Sequence, residues 1–140
     1  MLRGIPAILS PELIKCLMEM GHGDEIVLAD RNFPAKTHAK RLVRSDGHGI
    51  IHLLKAILPF FPLDTYANKT SVAVMDVVGN DPTPEIWDAY QQLTSPFSLQ
   101  KVERFAFYER AKQSYGIVAT GEAAPYGNII LKKGVIVDEL

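Results

Sequence analysis

Disulfides are excluded at the outset. Cys16 is the one cysteine in 140 residues, so no internal bridge can form and packing must hold the fold. A lone thiol suits a reducing compartment. Long apolar runs are also missing. A membrane helix needs about 18 or more apolar residues in a row. The densest run here, 50–61, is interrupted by His52, Lys55 and Pro59. The N-terminus offers one early cation, Arg3, then Gly4 and Pro6, and no apolar stretch of signal-peptide length. A soluble, cytoplasmic protein with no membrane partner is expected. Charge of one sign is absent as well: fifteen Lys and Arg stand against sixteen Asp and Glu. Such a balance gives nucleic acid or an anionic membrane nothing to attract. There is no Walker loop, dinucleotide fingerprint, Gly-x-Ser-x-Gly elbow or Cys-x-x-Cys pair. No repeat, low-complexity tract or Pro/Gly-rich linker divides the chain, so a single domain over 1–140 is expected.

Short β-rich runs alternate with helical ones, which predicts an α/β fold. Ser10 is a suitable N-cap and Pro11 a suitable first residue for a helix carrying Leu13, Ile14, Leu17 and Met18 on its apolar stripe. Gly21 is expected as its C-cap, and Cys16 as a core residue. Strands are predicted over 25–30, 41–44, 71–78, 115–120 and 128–131, with a short edge extension over 134–137. Helices are predicted over 49–58, stopped by Pro59, over 84–93 with Thr83 as cap, and over 104–114.

Five polar groupings stand out. In Gly21-His22-Gly23-Asp24 a histidine lies between two glycines, after a helix and before a strand. It reads either as a proton-transfer group near pH 7 or as an exposed loop residue behind a C-cap. Asp30, at a strand end, reads as a group that orients His22, as an acceptor for a ligand hydroxyl, or as an Asx turn before Pro34. His38, His48 and His52 form a weak metal grouping, in which His48 and His52 have the i, i+4 spacing of a metal pair, but Gly49 follows His48 where a zincin motif has Glu. Neither a metal nor a cofactor is expected. Glu103 to Arg110 is dense in charges and aromatics, and intrahelical ion pairing is the simplest reading. Tyr126 and Asn128 flank Gly127 just before a strand. A phenol and a carboxamide supply donors, acceptors and a flat apolar face, a set suited to a pyranose, though a plain turn fits the same residues.

These segments together resemble the RbsD/FucU family, and its L-fucose branch in particular. The resemblance runs through Leu9-Ser10-Pro11-Glu12-Leu13, Met20 to Asp30, Asn32-Phe33-Pro34, Leu63-Asp64-Thr65-Tyr66, Arg104 to Ala111, Thr120-Gly121-Glu122 and Tyr126 to Val135. It implies a three-layer α/β/α domain and acid-base interconversion of the α and β anomers of L-fucose or related monosaccharides. By the same resemblance His22 matches the family's catalytic histidine. Asp30, Arg104, Tyr126 and Asn128 match its sugar-binding positions, with Tyr126 a second candidate for proton transfer. It also implies a homo-oligomer of the decameric-ring kind, with the site near a subunit boundary. The ribose-handling branch carries histidine where Arg104 stands here. A ribose pyranase-type isomerase and a non-catalytic, transport-associated sugar binder are the alternatives. Ser45 departs from the alanine the family pattern leads one to expect, and the stretch 94–100 is short beside relatives.

Overall fold

The computed structural model describes residues 1–67 and 69–138. Six strands, β1 (Glu25–Ala29), β2 (Leu42–Ser45), β3 (Val72–Met75), β4 (Gln100–Val102), β5 (Gly116–Thr120) and β6 (Ile129–Lys132), form one sheet in the order β2-β5-β1-β6-β3-β4. β6 is antiparallel to both neighbours, β1 and β3, while the β1–β5, β2–β5 and β3–β4 pairs are parallel. The C-terminal ends of five strands therefore share one edge with the start of β6.

Strand alternation sorts the core into two layers. Ile26, Leu28, Val72, Val74, Val118, Ile129 and Leu131 face α1 (Pro11–Glu19), α3 (Ile50–Ile57) and α4 (Ile86–Thr94). The intervening Val27, Ala29, Ala73, Met75, Ile117, Ala119 and Ile130 face α2 (Ala35–His38) and α5 (Arg104–Gln113). Both faces are covered, which is why β1, β3 and β5 read as near-continuous apolar runs. The α/β/α layering expected from the family resemblance is present.

Several boundaries differ from the sequence reading. α1 is capped at its start by Ser10, whose Oγ accepts from the Leu13 N–H at 3.1 Å. It ends at Met20 in extended backbone, so Gly21 is not the C-cap, and Met18 points to solvent. Pro59 does not stop the third helix abruptly but sits in a 3-10 turn, Leu58–Phe60. α4 begins at Ile86 with Glu85, not Thr83, before it. No strand forms over 134–137; one bridge, Leu63 to Lys133, is all that extends β6. α2 and β4 were not anticipated, both too short to show a period.

The simplest reading of the charges on α5 also changes. Glu103 caps the helix, accepting from the Ala106 N–H at 3.0 Å. Arg110 leaves its own helix and grips Glu25 at the start of β1, with Nε 3.0 and 3.1 Å from the two carboxylate oxygens. It also donates to the carbonyl of Thr70 at 2.7 Å and to Gln100 Oε1 at 2.8 Å. Only Glu109 and Lys112 form an intrahelical pair, at 2.9 Å. Arg110→Met strands the Glu25 carboxylate in a largely buried position, with Lys132 Nζ still 3.9 Å away. Breaking such a pair costs about 3 kcal/mol. Thermal unfolding should fall by roughly 10 °C, and an unchanged midpoint would show the grip to be superficial.

Candidate active site

The shared edge of strand ends collects most of the polar residues singled out in the sequence. Asp30 follows β1 and Asn128 precedes β6, so the antiparallel pairing of those strands sets them side by side. The Asp30 N–H donates to Asn128 Oδ1 at 2.7 Å. Asp30 Oδ1 accepts from the Asn32 N–H at 3.0 Å, so the Asx turn expected before Pro34 is real. Both residues are buried. Burial pushes the Asp30 carboxyl above the usual carboxylate range, with the Glu122 charge adding to it, against the N–H groups of Asn32, Gly127 and Phe33. A carboxyl raised in this way at a strand end is a functional-site candidate. It opens onto a cavity of about 540 Å³ whose lining includes Arg31, Phe33, Lys36, Arg44 and Thr120.

Tyr126 precedes Asn128 by two residues and holds a left-handed backbone conformation, φ 55°. For a tyrosine this is strained, and three bonds hold it. Its hydroxyl donates to Asp81, its phenol oxygen accepts from the Val78 N–H at 3.2 Å, and its carbonyl accepts from Trp87 Nε1 at 3.0 Å. The bond to Asp81 raises its pKa above the ordinary phenol value. Tyr90 donates to the next carbonyl, Gly127, at 2.6 Å.

Arg104 opens α5, where the helix macrodipole disfavours a cation. Its guanidinium lies 4.7 Å above the Phe105 ring, and its charge is felt at Tyr126. Thr120-Gly121-Glu122 is architectural. Glu122 Oε1 accepts from the Ile50 N–H at 3.0 Å, capping α3 from across the chain where Gly49 has no side chain to do so.

His22 is not with this group. It precedes β1, whereas Asp30 follows it, so five extended residues, about 16 Å of strand, separate them within one chain. Within one chain, therefore, Asp30 does not orient His22. The residue that contacts His22 is Asp64, with Nε2 to Oδ1 at 3.1 Å, and the Tyr66 ring stands 5.4 Å from the imidazole. Asp64 lies in the Leu63-Asp64-Thr65-Tyr66 match, but nothing in the sequence ties it to a histidine 42 positions earlier. His48 lies before α3 and His52 within it, so their helical spacing does not apply, and His38 packs on Phe33 and Tyr108. Among the described residues no group of three or more His, Cys, Asp or Glu is placed to hold a metal. No helix among them is long and apolar enough to cross a membrane.

A family model described as the RbsD / FucU transport protein family matches residues 3–136. A fucose mutarotase from Danio rerio is 53% identical, aligned over 99% of this chain and 96% of its own length. The Homo sapiens fucose mutarotase is 50% identical over 96% of this chain and 94% of its own. The crystal structure of the fucose mutarotase from Streptococcus pneumoniae in complex with L-fucose superposes with a TM-score of 0.93 at 50% identity, covering 97% of this chain and 100% of that one. With the fold and nearly the whole length in agreement, this chain belongs to the RbsD/FucU family.

Proposed function

We propose that this protein interconverts the α and β anomers of L-fucose. The observation that carries the reading is the buried Asp30–Asn128 pair at the strand ends, with Tyr126 two residues before Asn128 and the Arg104 charge acting on Tyr126. It occurs in a chain about half identical to fucose mutarotases, one of them solved with L-fucose. Mutarotation moves protons and breaks one bond. The anomeric hydroxyl loses a proton, the ring oxygen gains one, and the bond between C1 and the ring oxygen opens to give the aldehyde and a free hydroxyl. Rotation about the bond from C1 to C2 presents the other face, and the same transfers run in reverse close the ring. A positioned acid-base group typically contributes ~10²–10⁴-fold.

His22 takes the principal transfer in this proposal. Asp30 and Asn128 hold sugar hydroxyls, and Arg104 holds another and selects fucose over ribose. Tyr126 contacts the sugar and acts as the second transfer group, with Asp81 behind it to receive the phenol proton. Because His22 and Asp30 lie at opposite ends of β1, a working site draws His22 from one copy and Asp30 from the next. A contact between unlike surfaces of identical chains is heterologous, and where its rotation closes it makes a ring. We therefore read the working form as a cyclic homo-oligomer.

Saturation-transfer NMR of L-fucose tests the activity: the protein should speed anomer exchange, D-ribose should respond far less, and shifted sugar signals without faster exchange would leave only a binder. Asp30→Asn separates function from stability. An acid whose folded-state pKa is raised loses stability as pH climbs from its unfolded value through the folded one. At pH 7 the ionised carboxylate is thus a burden that asparagine lifts, while Oδ1 can still accept from Asn32. The variant should melt no lower than the parent and lose about 10² in kcat/KM, the worth of a charged hydrogen bond of nearly 3 kcal/mol. Full activity would remove Asp30 from the site.

A further inference from the structure

The chain between β3 and α4 reaches back to Tyr126. Gly79 holds a left-handed φ of 59°, and the Asp81 N–H donates to the Val78 carbonyl at 3.2 Å. Residues 78–81 therefore form a tight turn with positive φ at its second residue. Asn80 does not share that φ, because Tyr126 is the one non-glycine residue with positive φ among those described. The turn is thus of the II′ kind, which calls for glycine where Gly79 stands. Such a turn brings its first and fourth residues together. The Val78 N–H and the Asp81 carboxylate accordingly meet on one atom, the Tyr126 hydroxyl oxygen. All four turn residues are exposed, and Tyr126 is half-buried.

A phenol has one proton to donate and lone pairs with which to accept. In Tyr126 the proton goes to Asp81, and one lone pair takes the Val78 N–H at 3.2 Å. What remains for the sugar is a lone pair. The Asp81 bond also lifts the phenol above its ordinary pKa, only partly offset by the Val78 N–H and the Arg104 charge, so the hydroxyl is un-ionised near pH 7. An un-ionised phenol takes a proton only by giving up its own at the same moment. The group placed to receive it is Asp81.

We infer that the 78–81 turn makes Tyr126 the base of the ring-opening step, with Asp81 as its positioning residue: the turn aims a free lone pair at the anomeric hydroxyl, and the Asp81 carboxylate takes the phenol's proton as the sugar's arrives. The inference rests on the reading of Tyr126 as the second transfer group. The step balances. The anomeric O–H bond breaks and a new O–H forms on the phenol oxygen, while the phenol's first proton passes to Asp81. The electron pair left on the anomeric oxygen forms the aldehyde C=O. The bond from C1 to the ring oxygen breaks, and the ring oxygen keeps its pair and takes the proton that His22 supplies. Ring closure on the other face runs the same transfers backwards. A structural account exists, in which the bond only ties an exposed turn to the body of the protein. Asparagine separates the two accounts, because its Oδ1 can still accept from the phenol but cannot carry the proton away.

Asp81→Asn should therefore keep its melting midpoint, hold KM for L-fucose within about twofold and lose ~10²-fold in kcat, the lower end of what a positioned proton-transfer group supplies. Asp81→Glu carries a carboxylate on a longer stem and should run about tenfold faster than Asp81→Asn. The position is exposed, so sodium formate should speed Asp81→Ala by supplying a carboxylate from solution, and should leave the unmutated protein unchanged. A mere tie predicts the reverse: Asp81→Asn at full rate, Asp81→Glu impaired and formate without effect. Asp81→Asn at full rate while Tyr126→Phe is dead would overturn the inference and leave the reading of Tyr126 standing. A loss confined to KM, or a slow Asp81→Asn that neither Asp81→Glu nor formate improves upon, would overturn it as well. Full-rate exchange in Tyr126→Phe would instead sink the reading of Tyr126, and the role of Asp81 with it.

Discussion

Chains carrying His22→Ala and chains carrying Asp30→Asn, each nearly inactive alone, are expected to regain anomer exchange when mixed. His22→Ala removes the principal transfer group and should lower the rate ~10²–10⁴-fold. Asp30→Asn removes a hydroxyl acceptor at the far end of the same strand. If each site takes His22 from one copy and Asp30 from its neighbour, random mixing in equal amounts makes about a quarter of the sites intact. The rate should rise to about a quarter of that of the unmutated protein, once subunits have exchanged through brief dilution or mild denaturant. A mixture no faster than the mean of its parts would mean that each site is built within one chain. That outcome requires His22 to cross the length of β1, against the backbone ladder that ties Gly23 and Asp24 to Lys133. The experiment reads activity and assembly together, and melting curves of each variant check that neither loss is unfolding.

The elements legible in the sequence are those whose signal is local. β1 and β5 show as apolar runs because both faces of the sheet are covered. α1 shows through Ser10 and Pro11, whose capping chemistry works within one turn. β4 is three residues of mixed exposure on a sheet edge, and α2 is a single turn after Pro34, so neither carries a period. Pairings across the chain were closed to the same reasoning. Arg110 finds Glu25 85 positions away and Glu122 caps a helix 72 positions away, and neither distance leaves a trace in the pattern. The site divides in the same way. His22, Asp30, Tyr126 and Asn128 were visible as polar residues at element ends. That three of them gather and His22 stands apart follows only from strand direction. Asp64 and Asp81 touch the two proposed transfer groups and were not singled out, because a loop aspartate has no local mark of its partner.

Gly121→Ala should damage the fold more than any other small substitution near the site. Gly121 follows β5 where that strand leaves β2, and its N–H donates to the His48 carbonyl at 2.9 Å. Its backbone is not left-handed, so alanine has no conformational objection to the position. The objection is space. A Cβ at Gly121 would lie 2.2 Å from the Asp46 carbonyl oxygen and 3.3 Å from its carbonyl carbon. These are backbone atoms of the turn after β2, so no rotamer change relieves the contact. One of the two segments must move, and both matter to the site: Asp46 lines the cavity that Asp30 opens onto, and Glu122, the next residue, caps α3. Overpacking of this kind costs about 3 kcal/mol or more, which should lower the melting midpoint by roughly 10 °C. Gly47→Ala is the control, one residue from Asp46 and two from Gly49, the N-cap of α3, with nothing within 4 Å of its added Cβ. It should stay within about 0.5 kcal/mol of the parent. Equal melting of the two variants would mean that the close approach at Gly121 is loose enough to admit a methyl group. A selective loss at Gly121 would show the glycine of Thr120-Gly121-Glu122 to be a steric requirement for seating β2, β5 and α3 around the sugar site.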